Sequence, residues 1–186
     1  MNSAIITDIE GIINELNISE EDVLYPLFEA IVNSIQSISE GRVKNGKINI
    51  RVNRDCTKTE LFEQFSSFPI TDIIIEDNGI GFTQENYQSF LHAHSTKKIK
   101  LGGKGVGRFA MLAIFNEIAI DSIINRTKDN HISFDLTRSG GISNYNVSTT
   151  KNPPRTTVKL SSINKDYLAS SARFNDDEII NKPNLI

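Results

Sequence analysis

Three groups of residues have types and spacings that suit chemistry. Glu29 and Asn33 stand four apart, which places them on one face if the segment is helical. A carboxylate and an amide on one wall suit a water-activating base beside a ligand for magnesium, a hard cation that takes oxygen donors and keeps much of its water. Taken alone, the pair better suits a solvated helix face. Asp77-Asn78-Gly79-Ile80-Gly81-Phe82 follows the apolar run Ile73-Ile74-Ile75. Strand propensity there runs into turn chemistry, so a buried strand delivers Asp77 to its end, where open α/β sheets bind ligands. Gly79 and Gly81 let backbone approach a small molecule. The alternative is an ordinary Asn-Gly turn. The third group is Gly102-Gly103-Lys104-Gly105-Val106-Gly107-Arg108. Glycines before a helix expose N–H groups, and the helix N-terminus favours anions, so the run suits a phosphate cradle. Its spacing matches neither a Walker loop nor a dinucleotide fingerprint. A flexible hinge is the alternative.

Other constellations carry less. His92 and His94 share no helix face, and no acid or cysteine pattern joins them or His131 in a zinc site. Cys56 is the single cysteine, so an internal disulfide is excluded, and no base stands near it in sequence. Ser34 and Ser95 lack the strand-elbow setting of a hydrolase nucleophile.

The elements that must position these groups follow from periodicity. Residues 4–17 suit a short helix. Ser19-Glu20-Glu21-Asp22 signals a helix start, and Leu24, Leu27, Phe28, Ile31, Ile35 and Ile38 recur at helical spacing up to Gly41. Pro26 fits only in a first turn. Residues 47–54 alternate as a half-buried strand with Ile48, Ile50 and Val52 on one face. Phe62, Phe65 and Phe68 suggest a short helical insertion within 55–69. A helix is expected from Thr83 to about Ala93, a loop over 94–104, and a helix from Gly105 to Phe115. Strands are expected at 117–124, 131–136, 145–149 and 156–160, and a polar tail from Lys165. The pattern is α+β: a mostly antiparallel, mixed sheet covered on one face by helices.

The chain has 186 residues and a net charge of −3, with 38% hydrophobic and 23% charged residues. Those values suit one soluble domain with a real core and argue against a generally basic nucleic-acid surface. No apolar run spans a bilayer, and the first residues lack a signal-peptide pattern. A cytoplasmic location without membrane contact is the expectation. The end Asn181-Lys182-Pro183-Asn184-Leu185-Ile186 shows no terminating device, so a further region is expected to follow.

Four pieces in order resemble the GHKL ATPase superfamily of gyrase B subunits, heat-shock chaperone ATPases, histidine kinases and MutL-type repair proteins. Glu29-Ala30-Ile31-Val32-Asn33-Ser34 resembles that family's N box. Asp77 to Phe82 resembles its adenine-reading glycine box. Gly102 to Gly107, preceded by Ser95-Thr96-Lys97, resembles its phosphate box and lid. Arg155-Thr156-Thr157-Val158 resembles its Gly-Thr strand box. The similarity spans about residues 22–162.

The resemblance implies a Bergerat-type two-layer sandwich over 22–164, an N-terminal segment 1–21 and a tail or linker start at 165–186. It implies ATP and Mg2+ as cofactors. Glu29 would be the catalytic base and Asn33 the metal ligand. Asp77 would accept a hydrogen bond from the adenine amino group, helped by a water on Thr156, with Asn78, Gly79 and Gly81 around the base. Gly103, Lys104, Gly105, Val106, Gly107 and Arg108 would hold phosphates, and Ser95, Thr96 and Lys97 would belong to the lid. ATP-driven homodimerisation, a downstream domain or partner protein, and nucleic acid only through further regions are the partners it implies. A non-hydrolysing nucleotide-binding interaction module and a histidine kinase catalytic domain are the alternatives. Two positions depart from the family pattern: Gln36 where an Asp is common, and Arg155 in place of the Gly of the Gly-Thr box.

Overall fold

The computed structural model describes residues 9–57, 65, 67–91, 107–138 and 141–180. Helix α1 spans Ile9–Glu15 and α2 spans Tyr25–Glu40. Pro26 lies in the first turn of α2, where a missing N–H costs nothing. Strands β1 (Ile48–Arg54) and β2 (Ile70–Asp77) precede α3 (Gln84–Leu91) and α4 (Gly107–Ile114). Then come β3 (Phe115–Ile123), β4 (His131–Thr137), β5 (Gly141–Ser148) and β6 (Arg155–Ile163). Two short helices, α5 (Leu168–Ser171) and α6 (Asp176–Ile180), follow. Among the described residues no helix is long and apolar enough to cross a membrane.

The six strands form one sheet in the order β1-β2-β6-β3-β4-β5, and every pairing is antiparallel. It realises the α+β sheet with helical cover, with no parallel pair among the described strands. Side chains alternate between faces, and the register sorts them. One inner row runs Val52, Ile73, Leu160, Ile118, Leu136, Ile142 from strand to strand. The next runs Ile50, Ile75, Val158, Ile120, Phe134. Ile73, Leu160, Ile118 and Ile75 are buried, under α2, which packs on β2, and α4, which packs on β3 and against α2. The opposite face carries rows such as Asn49, Glu76, Thr157, Asp121, Ser133, Asn146. Polar residues dominate there, as on a sheet with one wet face.

Some boundaries differ from the sequence expectation. The strand expected at 145–149 begins at Gly141, and the one at 156–160 runs from Arg155 to Ile163. Helix α4 passes into β3 without a connecting loop, so Phe115 is a strand residue. Ile50 is 40% exposed although it shares a face with the half-buried Ile48 and Val52, because β1 is an edge strand with no neighbour beyond it. The insertion expected around Phe62 and the loop 94–104 lie outside the described residues. Residues after Ile163 dock onto the body. Arg54 donates to the carbonyls of Phe68 and Phe174 and pairs with Asp176, and the Ser171 hydroxyl accepts from the Ile70 N–H.

Candidate nucleotide site

The third inner row differs from the two apolar ones. It runs Ile48, Asp77, Thr156, Ser122, Ile132, Val147, so three polar side chains from β2, β6 and β3 stand together at one end of the apolar face. All three are buried, Ser122 with no exposed surface. A buried polar group is costly unless partnered, and each here has partners.

Asp77 is held from two directions. Its Oδ1 accepts from the Gly79 N–H at 2.8 Å and its Oδ2 from the Ser34 hydroxyl of α2 at 2.9 Å. Burial pushes the carboxyl above its ordinary value, and the bonds from Gly79 and Ser34 oppose that shift. A carboxylate oxygen has two acceptor sites, so one site on each oxygen is left after these bonds.

The turn after Asp77 is shaped by α2. The Ser37 carbonyl accepts from the Ile80 N–H, and the Ser37 hydroxyl accepts from the Gly81 N–H. A Cβ at Gly79 would overlap the Ser37 side chain, so only glycine lets the turn close on the helix. Gly81 has φ of +75°, a left-handed conformation. A Cβ there would lie 2.6 Å from Ser122 Oγ and 3.2 Å from Thr156 Oγ1. Glycine therefore keeps the space above those hydroxyls clear. The Asn78 side chain braces the approach to β1: its Oδ1 accepts from the Lys47 N–H and its Nδ2 donates to the Asn45 carbonyl.

Glu29 is half-buried on α2 and Asn33 is exposed one turn on. The Tyr25 hydroxyl donates to Glu29 Oε1 at 2.7 Å. Burial and this carboxylate push the Tyr25 phenol up to about 12. A Cβ at Gly107 would overlap the Glu29 carboxylate, so the start of α4 abuts Glu29. This contact joins the end of the glycine run to the Glu29–Asn33 wall. The Arg108 guanidinium lies over the rings of Phe109, 4.4 Å from the centroid, and Phe90, 5.5 Å away. Burial lowers it to about 10, which leaves it cationic at neutral pH. Ser95, Thr96, Lys97, Gly103, Lys104, Gly105 and Val106 lie outside the described residues.

Asn33 fits a shared magnesium ion by donor chemistry: one amide oxygen, with the remaining positions left to phosphate and water. No cluster of three or more His, Cys, Asp or Glu that would hold a metal by itself exists among the described residues.

Sequence reasoning missed Ser122, Ser37 and Tyr25. Tyr25 stands four before Glu29, a visible helix spacing. Ser122 had a faint signal, a small polar residue in the otherwise apolar alternation Ile118, Ile120. Ser37 had none, since its role depends on the turn lying against α2.

Comparison with known proteins agrees with this architecture. No curated protein matches the chain. Residues 25–167 match the family model for histidine kinase-, DNA gyrase B- and HSP90-like ATPases, so the chain, with its Bergerat-type sheet and helical cover, belongs to the GHKL ATPase family and carries its ATP-binding domain.

Proposed function

We propose that the domain binds Mg-ATP and hydrolyses it to drive a conformational or dimerisation switch in a larger protein. The observation that carries this reading is the buried Asp77 carboxylate, fixed by Gly79 and Ser34 and flanked in register by Thr156. A fixed acceptor of this kind matches the adenine amino group, and a base lacking that group leaves it unmatched. Asn33 would hold magnesium, which supplies charge neutralisation at the phosphates. Glu29 would take the proton of the attacking water. Gly103, Lys104, Gly105, Val106, Gly107 and Arg108 would meet the phosphates, and Ser95, Thr96 and Lys97 would close over them. Phosphoryl transfer needs chiefly positioning and charge compensation, which this set supplies.

The test is a calorimetric titration with ATP and magnesium. Wild type is expected to bind and Asp77→Asn to lose at least about a hundredfold in affinity, since a charged hydrogen bond is replaced by a donor facing a donor. Equal affinities would remove Asp77 from the site.

A second reading, a nucleotide-binding module without turnover, draws support from Glu29. Its Oε1 already accepts from Tyr25 and its Oε2 side abuts Gly107. Phosphate release separates the two. Hydrolysis through Glu29 predicts a rate that falls about a hundredfold or more in Glu29→Gln, following the usual contribution of a general base. Equal residual rates favour the binding module.

A further inference from the structure

Ser122 has a hydrogen-bonding inventory that closes in one way. Its hydroxyl has one proton and two acceptor lone pairs. The Phe82 N–H donates to Ser122 Oγ at 2.9 Å, and Thr156 Oγ1 lies 2.9 Å from the same oxygen. The residue has no exposed surface. Among the described residues, Thr156 Oγ1 is therefore the acceptor available to the Ser122 proton. The reverse arrangement, with Thr156 donating, would leave a fully buried hydroxyl proton without an acceptor, which folded proteins avoid. The chain of donors thus runs from the Phe82 N–H to Ser122 and from Ser122 to Thr156. The Thr156 proton is left to point elsewhere, and the open space kept by Gly81 adjoins it.

We propose that Ser122 is a positioning residue for base selection: it fixes the Thr156 hydroxyl as a donor toward the site, beside the acceptor Asp77. This rests on the ATP reading and deepens it. An acceptor next to a donor complements a ring edge with an exocyclic amino group next to an unprotonated ring nitrogen. Adenine has that edge. Hypoxanthine and guanine present a carbonyl beside a ring N–H, the opposite pattern. The polarity is the same if one water stands between. A water that accepts from Thr156 keeps both protons, one for Asp77 and one for the ring nitrogen. Had Thr156 spent its proton on Ser122, that water would give its two protons to Thr156 and Asp77, leaving only a lone pair for the base.

The test measures affinities of wild type and Ser122→Ala for ATP and for 1-deaza-ATP, in which the ring nitrogen acceptor is replaced by C–H. Wild type is expected to prefer ATP by about tenfold, the worth of one hydrogen bond. In Ser122→Ala the ATP affinity falls several-fold while 1-deaza-ATP changes little, so the ratio approaches one. A merely structural role would weaken both nucleotides together and leave the ratio unchanged, which would overturn the inference. Wild type alone also decides: equal binding of ATP and 1-deaza-ATP means that no donor is presented, so a variant that fails to fold does not protect the idea. Failure of wild type to bind ATP at all would overturn the ATP reading itself, a result distinct from ATP binding with no preference.

Discussion

Strand β3 places two neighbouring residues in opposite worlds. Ser122 faces α2 and α4 and joins Asp77 and Thr156 in the inner row. Asp121 faces outward and joins another hydrogen-bonded chain. There the His131 Nε2 lies 2.6 Å from Asp121 Oδ2, the His131 Nδ1 lies 2.9 Å from Ser148 Oγ, and Arg155 approaches Asp121 at 3.8 Å. Read as residue types, the outer Ser-His-Asp set looks more like chemistry than the inner Asp-Thr-Ser set. The environment reverses that. The Asp121 side chain is 40% exposed, so water competes for part of this set and salt screens its charge, although the Asp121 Oδ1 atom itself is shielded. The inner groups are buried, so each bond is specified and each remaining lone pair or proton is aimed. What makes a polar cluster selective is the removal of alternatives, which the outer face lacks.

The largest separation of the two regions is expected at Asp77. Beside its loss of ATP binding, Asp77→Asn is expected to fold at least as stably as wild type at neutral pH. Burial raises the Asp77 carboxyl in the folded state, so the unfolded chain releases this proton first as pH rises. Stability from this site is fully present below the ordinary carboxylate value and is lost as pH rises through the raised folded value. The melting temperature of Asp77→Asn minus that of wild type should therefore grow from about pH 4 to about pH 7. A difference that shrinks over that range would contradict the burial argument.

Gly81→Ala comes next. It places a side chain in a left-handed backbone conformation and against the Ser122 and Thr156 hydroxyls. A stability loss of about 1–3 kcal/mol should accompany weakened ATP binding, both visible in thermal melts with and without nucleotide. Unchanged ligand-induced stabilisation would show that the space above the hydroxyls is not used.

The smallest effect is expected outside. Asp121→Asn should change stability by about 1 kcal/mol or less, shrinking further in high salt, and should leave ATP affinity within about twofold. A larger change in ATP affinity would mean that the two faces of β3 communicate, and the contrast drawn between them would fail.

Much of the fold was legible because its signals are local. The helical spacing from Leu24 to Ile38 and the run Ile73 to Ile75 each announce an element. Asp77 and its glycines were legible as a strand entering a turn, but the rule that links such a strand end to a ligand belongs to parallel sheets. In this antiparallel sheet the row owes its position to register: Asp77 ends β2, Thr156 lies near the start of β6, and Ser122 lies near the end of β3. Register between distant strands is a tertiary fact that no window along the chain contains. The same holds for Ser34, whose hydroxyl meets Asp77 across 43 residues. The exposed position of Ile50 was hidden because alternation reveals a strand's face and not whether it lies at an edge.

The order of strands also fixes when the site can come into existence. Strand β6 is the last of the six in sequence and takes a central place, with β2 on one side and β3 on the other. Without it, β1 and β2 would have no neighbour linking them to β3, β4 and β5, and Asp77 and Ser122 would have nothing between them. Such non-local pairing is the slow part of assembling a sheet. Only a chain whose final strand has closed the gap can hold nucleotide through this row. During refolding, recovery of ATP binding should therefore lag recovery of helical signal, and ligand would stabilise the completed sheet by mass action alone.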